Sequence, residues 1–410
     1  MRGTGDGYRS VTGREPADTV AAMIGSAVVC GAGIAGLSLA HGLVRHGWEV
    51  TLVERAPGPR EQGYMMDFFG PGYAAAERMG LLGRLRELSY DVDALAYVDD
   101  RGRTRASLGY ARLARALDGR LLSIMRPDLE RALREAIGDA AEFRYGDTVR
   151  QSTDRGDGVR VTFAGGSGRD ADLLVGADGI HSRVRRHLWG AEEQFIRYLG
   201  LHTAAYTFSD RQVHSALAGR FVMTDTVDRT LGLYGLDGDR VAVFMAHTSD
   251  DPALPADRRA ALQDRYAGLG WVASRTLDRC PPGEEVYYDQ VAQVEVPDWR
   301  RGNVVLLGDA CQAVSLLAGQ GASLAVAGAC VLADHLVTAP SVPTALCRYQ
   351  EQWRPVVVAA QQAGRRGAEW FLPRSEASRR RRLLMLHLMA LPGASRLLAR
   401  GLAGRTRSAR

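Results

Sequence analysis

The sequence predicts an α/β protein with a Rossmann-like nucleotide-binding domain, an inserted β-rich domain, and helices towards the C-terminal end. Three observations carry this reading. Residues 26–54 form a strand, glycine-rich turn, helix and second strand. Two later apolar strands, ending at Gly176 and Gly308, run into Asp-bearing loops that open helices. Between them, residues 195–295 alternate apolar and polar at the period of strands.

The first unit is the most specific. Ala27 to Cys30 is a short apolar run typical of a buried parallel strand, and it leads into Gly31-x-Gly33-x-x-Gly36. Leu37, Leu39, Ala40, Leu43 and Val44 then recur at helical spacing, with Gly47 as the stop. Trp48 to Val53 is the next strand and ends in Glu54. Gly31 permits the tight turn, Gly33 admits a pyrophosphate near the backbone, and Gly36 lets helix and strand approach. The exposed N–H groups at the helix start attract phosphate. Glu54 is placed to accept from both ribose hydroxyls and would repel a 2′-phosphate, so FAD or NAD is the predicted nucleotide, not NADP.

Composition narrows the function. The 410 residues suffice for two or three packed units, and 46% apolar with 24% charged residues matches a soluble globular protein. Every basic side chain behind the net charge of +5, histidine aside, is arginine; the absence of lysine removes Schiff-base and lysine-nucleophile chemistry. So diffuse a charge argues against nucleic-acid binding. The five cysteines show no CxxC and read as reduced thiols of a cytoplasmic protein, and the nine histidines show no metal spacing. No signal-peptide core or apolar run of membrane-span length is expected.

In chain order, residues 1–25 read as a disordered leader. Arg55 to Arg60 is a Pro/Gly loop, Tyr64 to Phe69 a short strand, and Tyr73 to Met79 a helix. Asp67, alone among large apolar residues, is either a turn-capping carboxylate or a side chain aimed at a ligand. Asp99 to Gly102 signals a hairpin. Pro127 and Asp128 open a helix, with Arg126 just outside it as either a surface residue or a pyrophosphate clamp. Ala171 to Val175 is a buried strand leading into Asp178-Gly179, with Ser182 able to cap the following helix. A hairpin spans Thr230–Tyr234 and Arg240–Phe244, and Pro255 to Leu269 is a helix. The apolar strand before Gly308-Asp309 is followed by a small-residue helix from Ala318 to Val337, with Gly319, Gly321 and Ala322 at its start. Beyond Thr344 the chain reads as helical; Arg379 to Arg382 are predicted to form a solvated face of a helix packed on its own protein, and membrane contact is not expected.

Three such junctions in this order resemble the class A, single-component flavoprotein monooxygenases of the para-hydroxybenzoate-hydroxylase fold, over residues 26–340. The likeness implies a GR2-type FAD-binding domain from residues 26–90, 121–190 and 296–340. It also implies a β-rich substrate domain from 91–120 and 191–295, and a helical segment from 341–410. The glycine triplet with Ala35, Glu54 and Arg55 looks like the FAD-adenosine site. Arg126 is similar to the family's FAD-binding arginine, Asp178-Gly179 with Ser182 and Arg185 to its Asp-Gly motif, and Asp309 to the aspartate that holds the ribityl chain. Gly319, Gly321 and Ala322 would face the flavin pyrimidine edge. Asp67 resembles an aspartate of tetracycline-destructase-like members, and Arg60 an NADPH-site residue. Departures occur at Cys311, Gln312 and Ser315-Leu316, where many relatives read Gly-Asp-Ala-Ala-His followed by a Pro-Pro pair.

The resemblance implies FAD as cofactor, NADPH or NADH as reductant, and oxygenation by O2 through a flavin C4a-hydroperoxide. The substrate would be a hydrophobic aromatic or polycyclic small molecule, and the assembly a monomer or homodimer. Because the cofactor carries the chemistry, no catalytic acid or base is nominated. Arg220, Tyr234, Met245 and His247 are candidate pocket liners by location. A halogenase is disfavoured: the lysine such enzymes use is absent, as is Trp-x-Trp. An FAD-dependent reductase of an isoprenoid-type substrate, or a non-redox flavoprotein, remains as an alternative.

Overall fold

The computed structural model describes residues 24–60, 63–315 and 319–391. The leader expected over residues 1–25 lies almost entirely outside them, as do Leu316 and Ala318.

A six-stranded sheet organises the molecule. Its order is Arg300–Arg301, Val304–Leu306, Leu173–Gly176, Ser26–Cys30, Glu49–Glu54, Glu142–Tyr145; every pairing is parallel except the first. Both faces are covered, so these strands are nearly continuous apolar runs. The Ile34–Val44 and Gly321–Thr338 helices pack on one another, and the second also packs on the Pro71–Arg78 helix. The Gly321–Thr338 helix corrects one expectation. It is long and apolar enough to cross a membrane, but most of it is buried in the protein core.

The second large sheet has seven strands: Tyr287–Val294, Ile196–Ser209, Arg240–Thr248, Arg229–Gly235, Phe221–Thr226, Ala94–Val98 and Thr104–Gly109. It is antiparallel except where Phe221–Thr226 lies parallel to Ala94–Val98. Period-2 alternation splits its side chains. Leu231, Leu233, Val241, Val243 and Met245 face a core closed by helices such as Arg258–Tyr266, while Tyr234 and Phe244 face the other way. A small sheet of Met65–Phe69, Leu121–Met125 and Ser89–Tyr90 sits at the junction.

Several boundaries differ from expectation for local reasons. The helix predicted from Pro255 starts at Arg258, because the Asp257 carboxylate accepts from the Ala260 N–H at 2.9 Å and caps it there. The strand predicted over 171–175 is two strands, Gly168–Ala171 and Leu173–Gly176, in different sheets. The arginine face of the last helix, Glu376–Ala390, is only partly solvated. Arg379 and Arg382 point inward to Asp225, and Arg382 is fully buried.

Candidate functional site

Three corners of the six-stranded sheet converge, and glycine makes the convergence possible. Gly31 has φ +110°, and a Cβ there would lie 2.3 Å from the Ala177 carbonyl oxygen. A Cβ on Gly36 would lie 2.0 Å from the Gly31 oxygen. Gly308, at φ +62°, would place its Cβ 2.5 Å from the Ala35 methyl. The first corner thus touches the other two at positions where no side chain fits. Gly33 differs: a Cβ there would have ordinary room beside Glu130 and Arg126, so its smallness leaves space in the cleft.

Glu54 closes the first corner. Its oxygens accept from the Ala32 N–H at 3.1 Å and the Ala56 N–H at 2.9 Å, and Arg60 lies 3.3 Å away at the rim. At the second corner Asp178 accepts from Ser182 and from the N–H groups of Arg183 (2.7 Å) and Val184 (3.2 Å), so it caps the Arg183–Trp189 helix. Ser182 in turn accepts from the Arg185 N–H at 3.0 Å. Burial holds the Asp178 carboxyl above its usual range, against the pull of these donors.

The third corner carries Asp309, first residue of a one-turn helix, Asp309–Gln312. Its side chain is exposed to a cavity, and desolvation by the surrounding protein pushes its carboxyl up. Facing it, Arg126 begins the Arg126–Ile137 helix and pairs with Glu130 at 2.7 Å. Burial pushes Glu130 up while Arg126 opposes it.

Two connected spaces result. A cleft of about 420 Å³ is bordered by Gly31, Gly33, Glu54, Arg55, Arg60 and Asp178. A cavity of about 520 Å³ is bordered by Ala35, Asp67, Asp309, Gly319, Gly321 and Ala322. Gly33, Arg126, Ala177, Gly179, Tyr287 and Asp289 border both. The donor set suits an elongated dinucleotide: exposed amides and a cation for phosphate, and carboxylates for sugar and polyol hydroxyls. Every nominated cofactor residue borders one of the spaces or, as with Gly36, shapes the turn beside them.

Of the nominated liners of the β-rich sheet, only Tyr234 is at the cavity, stacked on Phe221 with ring centroids 3.8 Å apart. The other three placements are corrected. Met245 is fully buried in the core behind the sheet. His247 lies in that core too, bonded to Tyr266 and Tyr288 at 3.2 Å each, and burial lowers its pKa to about 3. Phe244, one residue before Met245, takes the cavity side because strand side chains alternate. Arg220 turns to the Leu217 carbonyl and Thr104 at the sheet's edge.

Sequence reasoning missed Tyr64, Thr203, Phe221, Tyr287 and Asp289, which all border the cavity. Tyr287 and Asp289 share one face of their strand by period 2, which is the only signal available. Asp289 also faces His181, at 3.5 Å; Asp289 and Glu192, at 2.9 Å, raise the His181 pKa to about 8.

In the loop that departs from the family pattern, Cys311 and Gln312 turn inward. Cys311 is buried, and Gln312 bonds Tyr349 at 2.5 Å and Trp353 at 3.2 Å in the Val342–Phe371 helix. Ala313, Val314 and Ser315 border the cavity instead, Ser315 at φ +90°. Such a backbone is strained for a serine.

Comparison with known proteins identifies the family. A family model described as an FAD binding domain matches residues 26–363. An uncharacterized protein of Mycobacterium tuberculosis (strain H37Rv) is 35% identical over 326 residues, covering 76% of this chain and 85% of its own. A flavin-dependent monooxygenase of an unknown prokaryotic organism is 30% identical over 355 residues, covering 84% and 90%. The crystal structure of the tetracycline destructase Tet(55) superposes with a TM-score of 0.75 at 26% identity, covering 89% and 96%. The chain belongs to the FAD binding domain family and is a class A, FAD-dependent flavoprotein monooxygenase.

Proposed function

We propose that this monooxygenase consumes NADPH or NADH and hydroxylates a hydrophobic, aromatic or polycyclic small molecule. The observation that carries the reading is the junction of two unlike spaces. The polar cleft opens past Arg126 and Asp289 into a cavity walled by Phe221, Tyr234, Phe244, Phe371 and Leu386. Rings on that wall favour a flat apolar guest. The tetracycline destructase likeness points the same way.

On this reading Gly33, at the start of the Ile34–Val44 helix, admits the phosphates while Gly31 and Gly36 shape the turn, and Glu54 accepts from the adenosine ribose. Arg126, fixed by Glu130, meets the pyrophosphate. Asp309 accepts from the ribityl hydroxyls, and the N–H groups of Gly319, Gly321 and Ala322 face the flavin ring. Arg60, exposed beside Glu54, is a contact for the nicotinamide nucleotide. The sheet containing residues 94–109 and 196–294 is the substrate domain. Bound FAD supplies electron transfer from NAD(P)H and the activation of O2. The protein's own contribution is to seat the substrate ring and exclude water with the aromatic wall.

The test is NADPH and NADH oxidation, with O2 uptake, by the FAD-loaded protein across a panel of polycyclic aromatics that includes tetracycline. A substrate that raises the oxidation rate and emerges one oxygen heavier supports the proposal. Turnover that proceeds without O2 supports a reductase instead, and no stimulation by any ligand sinks the reading.

A further inference from the structure

Asp67 is a carboxylate in an unusual position. It lies mid-strand in Met65–Phe69, opposite Ser123, and borders the main cavity. The Ser123 hydroxyl donates to Oδ1 at 2.8 Å, and the Tyr110 hydroxyl sits 3.3 and 3.1 Å from Oδ1 and Oδ2. Among the described residues no cation lies within ion-pair distance of it. The other charged groups of the cavity are grouped elsewhere: Arg126 acts on Asp309, and Asp289 meets His181. Burial holds the Asp67 carboxyl above its usual range, and only the two hydroxyls oppose that.

The bonding leaves Asp67 incomplete. One Tyr110 proton cannot serve both oxygens fully, so Oδ2 retains acceptor capacity. A half-buried carboxylate with no counter-charge is costly in proportion to its desolvation unless something bonds it. A structural role in joining strands explains the Ser123 contact but not why a carboxylate with spare acceptor capacity borders a cavity. The surroundings are aromatic: Tyr234, stacked on Phe221, has its hydroxyl pKa raised by burial first and the Asp67 charge second, and Phe244 lines the same space.

We propose that Asp67, held by Tyr110 and Ser123, is a substrate-selecting acceptor that takes the phenolic or enolic hydroxyl of a ring lodged against Tyr234 and Phe244. The assignment rests on the aromatic-substrate reading above, and it turns Asp67 towards the substrate rather than the FAD role the family resemblance implies. A hydroxyl donating to a charged acceptor contributes more than a neutral pair. A site built to receive a hydroxyl also rejects the analogue that lacks one, because its own acceptor is then left unpaired.

The experiment titrates the FAD-loaded protein with 2-naphthol and with 2-methoxynaphthalene, following the flavin absorbance. The two probes share a ring and differ in the donor. The expected result is binding of the naphthol about 10- to 100-fold tighter than its methyl ether. In Asp67→Asn that preference collapses while the ether binds as before. In Tyr110→Phe it falls several-fold, which keeps the test decisive if the first variant does not fold. The proposal is overturned if the wild-type protein does not prefer the naphthol, or if the preference survives both substitutions. NADPH oxidation, measured on the same samples, reports separately on the monooxygenase reading.

Discussion

Arg185 donates to the Ala310 carbonyl, 125 residues away in sequence, at 2.8 Å and to the Ile180 carbonyl at 2.6 Å. It does so fully buried, with Glu192 3.7 Å away. One guanidinium therefore ties the loop after Asp178 to the helix that begins at Asp309. Replacing it with methionine keeps an unbranched stem but leaves the buried Ala310 carbonyl and the part-buried Ile180 carbonyl without this donor, at a cost of about 1–3 kcal/mol for the buried one. Arg185→Met is expected to lower the urea midpoint of the FAD-free protein and to weaken FAD binding at least about tenfold. Lysine, a point charge without the planar fork, should restore only part of either. Equal FAD affinity in wild type and Arg185→Met would refute the link between the two corners.

The glycine corner makes a steeper prediction. The Gly36 neighbour is backbone, the Gly31 carbonyl, and cannot swing aside. Gly36→Ala should therefore forfeit FAD binding altogether and destabilise the fold by more than about 3 kcal/mol. Gly33→Ala should be far milder for the fold, because its Cβ meets nothing closer than 3.5 Å. Thermal melts of the two FAD-free variants separate these cases.

What the sequence reveals depends on how locally a feature is encoded. Gly31, Gly33, Gly36 and Glu54 are legible because a strand–turn–helix–strand unit fixes their relation within 24 consecutive residues. The same holds for Asp178 and Asp309, each at the end of an apolar strand. The cavity wall is another matter. Whether Phe244 or Met245 faces the substrate side depends on which face of the sheet the helices cover, and no local pattern states that. Both are apolar, and both are buried. Arg382 shows the converse difficulty. A run of four arginines reads as a solvated face, but Asp225, 157 residues earlier, draws Arg382 inward.

Stability should depend on His181 with a definite sign. Its pKa is raised to about 8 by Asp289 and Glu192, above the ordinary value of about 6.5. The folded state therefore binds the proton more tightly, and its contribution is complete below about pH 6.5 and lost as pH rises through about 8. The side chain is 44% exposed, so screening keeps the effect to about 1 kcal/mol or less. Melting temperatures of wild type should fall relative to His181→Gln over that window; parallel pH profiles would contradict the bridge.

Asp309 should separate stability from function. Desolvation raises its carboxyl pKa, so the charged form disfavours the empty protein as pH rises from about 4 through the raised value, but the side chain is exposed to the cavity and screening keeps the effect small. Asp309→Asn should thus melt no lower than wild type without FAD at neutral pH. The same change removes a charged acceptor for ribityl hydroxyls and should weaken FAD binding about 10- to 100-fold. A variant that is both less stable and unaltered in FAD affinity would contradict the assigned role.

The last helix is fastened by charge where its sequence suggests solvent. Asp225, buried in the Phe221–Thr226 strand, pairs with Arg379 at 3.2 Å and with Arg382. Arg382 also donates to the Phe371 carbonyl at 3.0 Å and lies over the Tyr97 ring at 4.3 Å. The helix brings Leu386 and Met389 to the cavity. Removing Asp225 leaves the buried Arg382 without its carboxylate, while Arg379 keeps Glu376 at 3.1 Å, and the unpaired charge costs about 3–5 kcal/mol. Asp225→Ala should therefore expose residues 376–390 to proteolysis before the rest of the chain unfolds. The pair itself need not stabilise: apolar residues of similar volume often replace a buried ion pair without loss. The double variant Asp225→Leu with Arg382→Met should recover most of the stability that Asp225→Ala loses. A double variant as unstable as the single one would mean that the charges, rather than the packing of Leu383 and Leu386 beneath them, hold the helix in place.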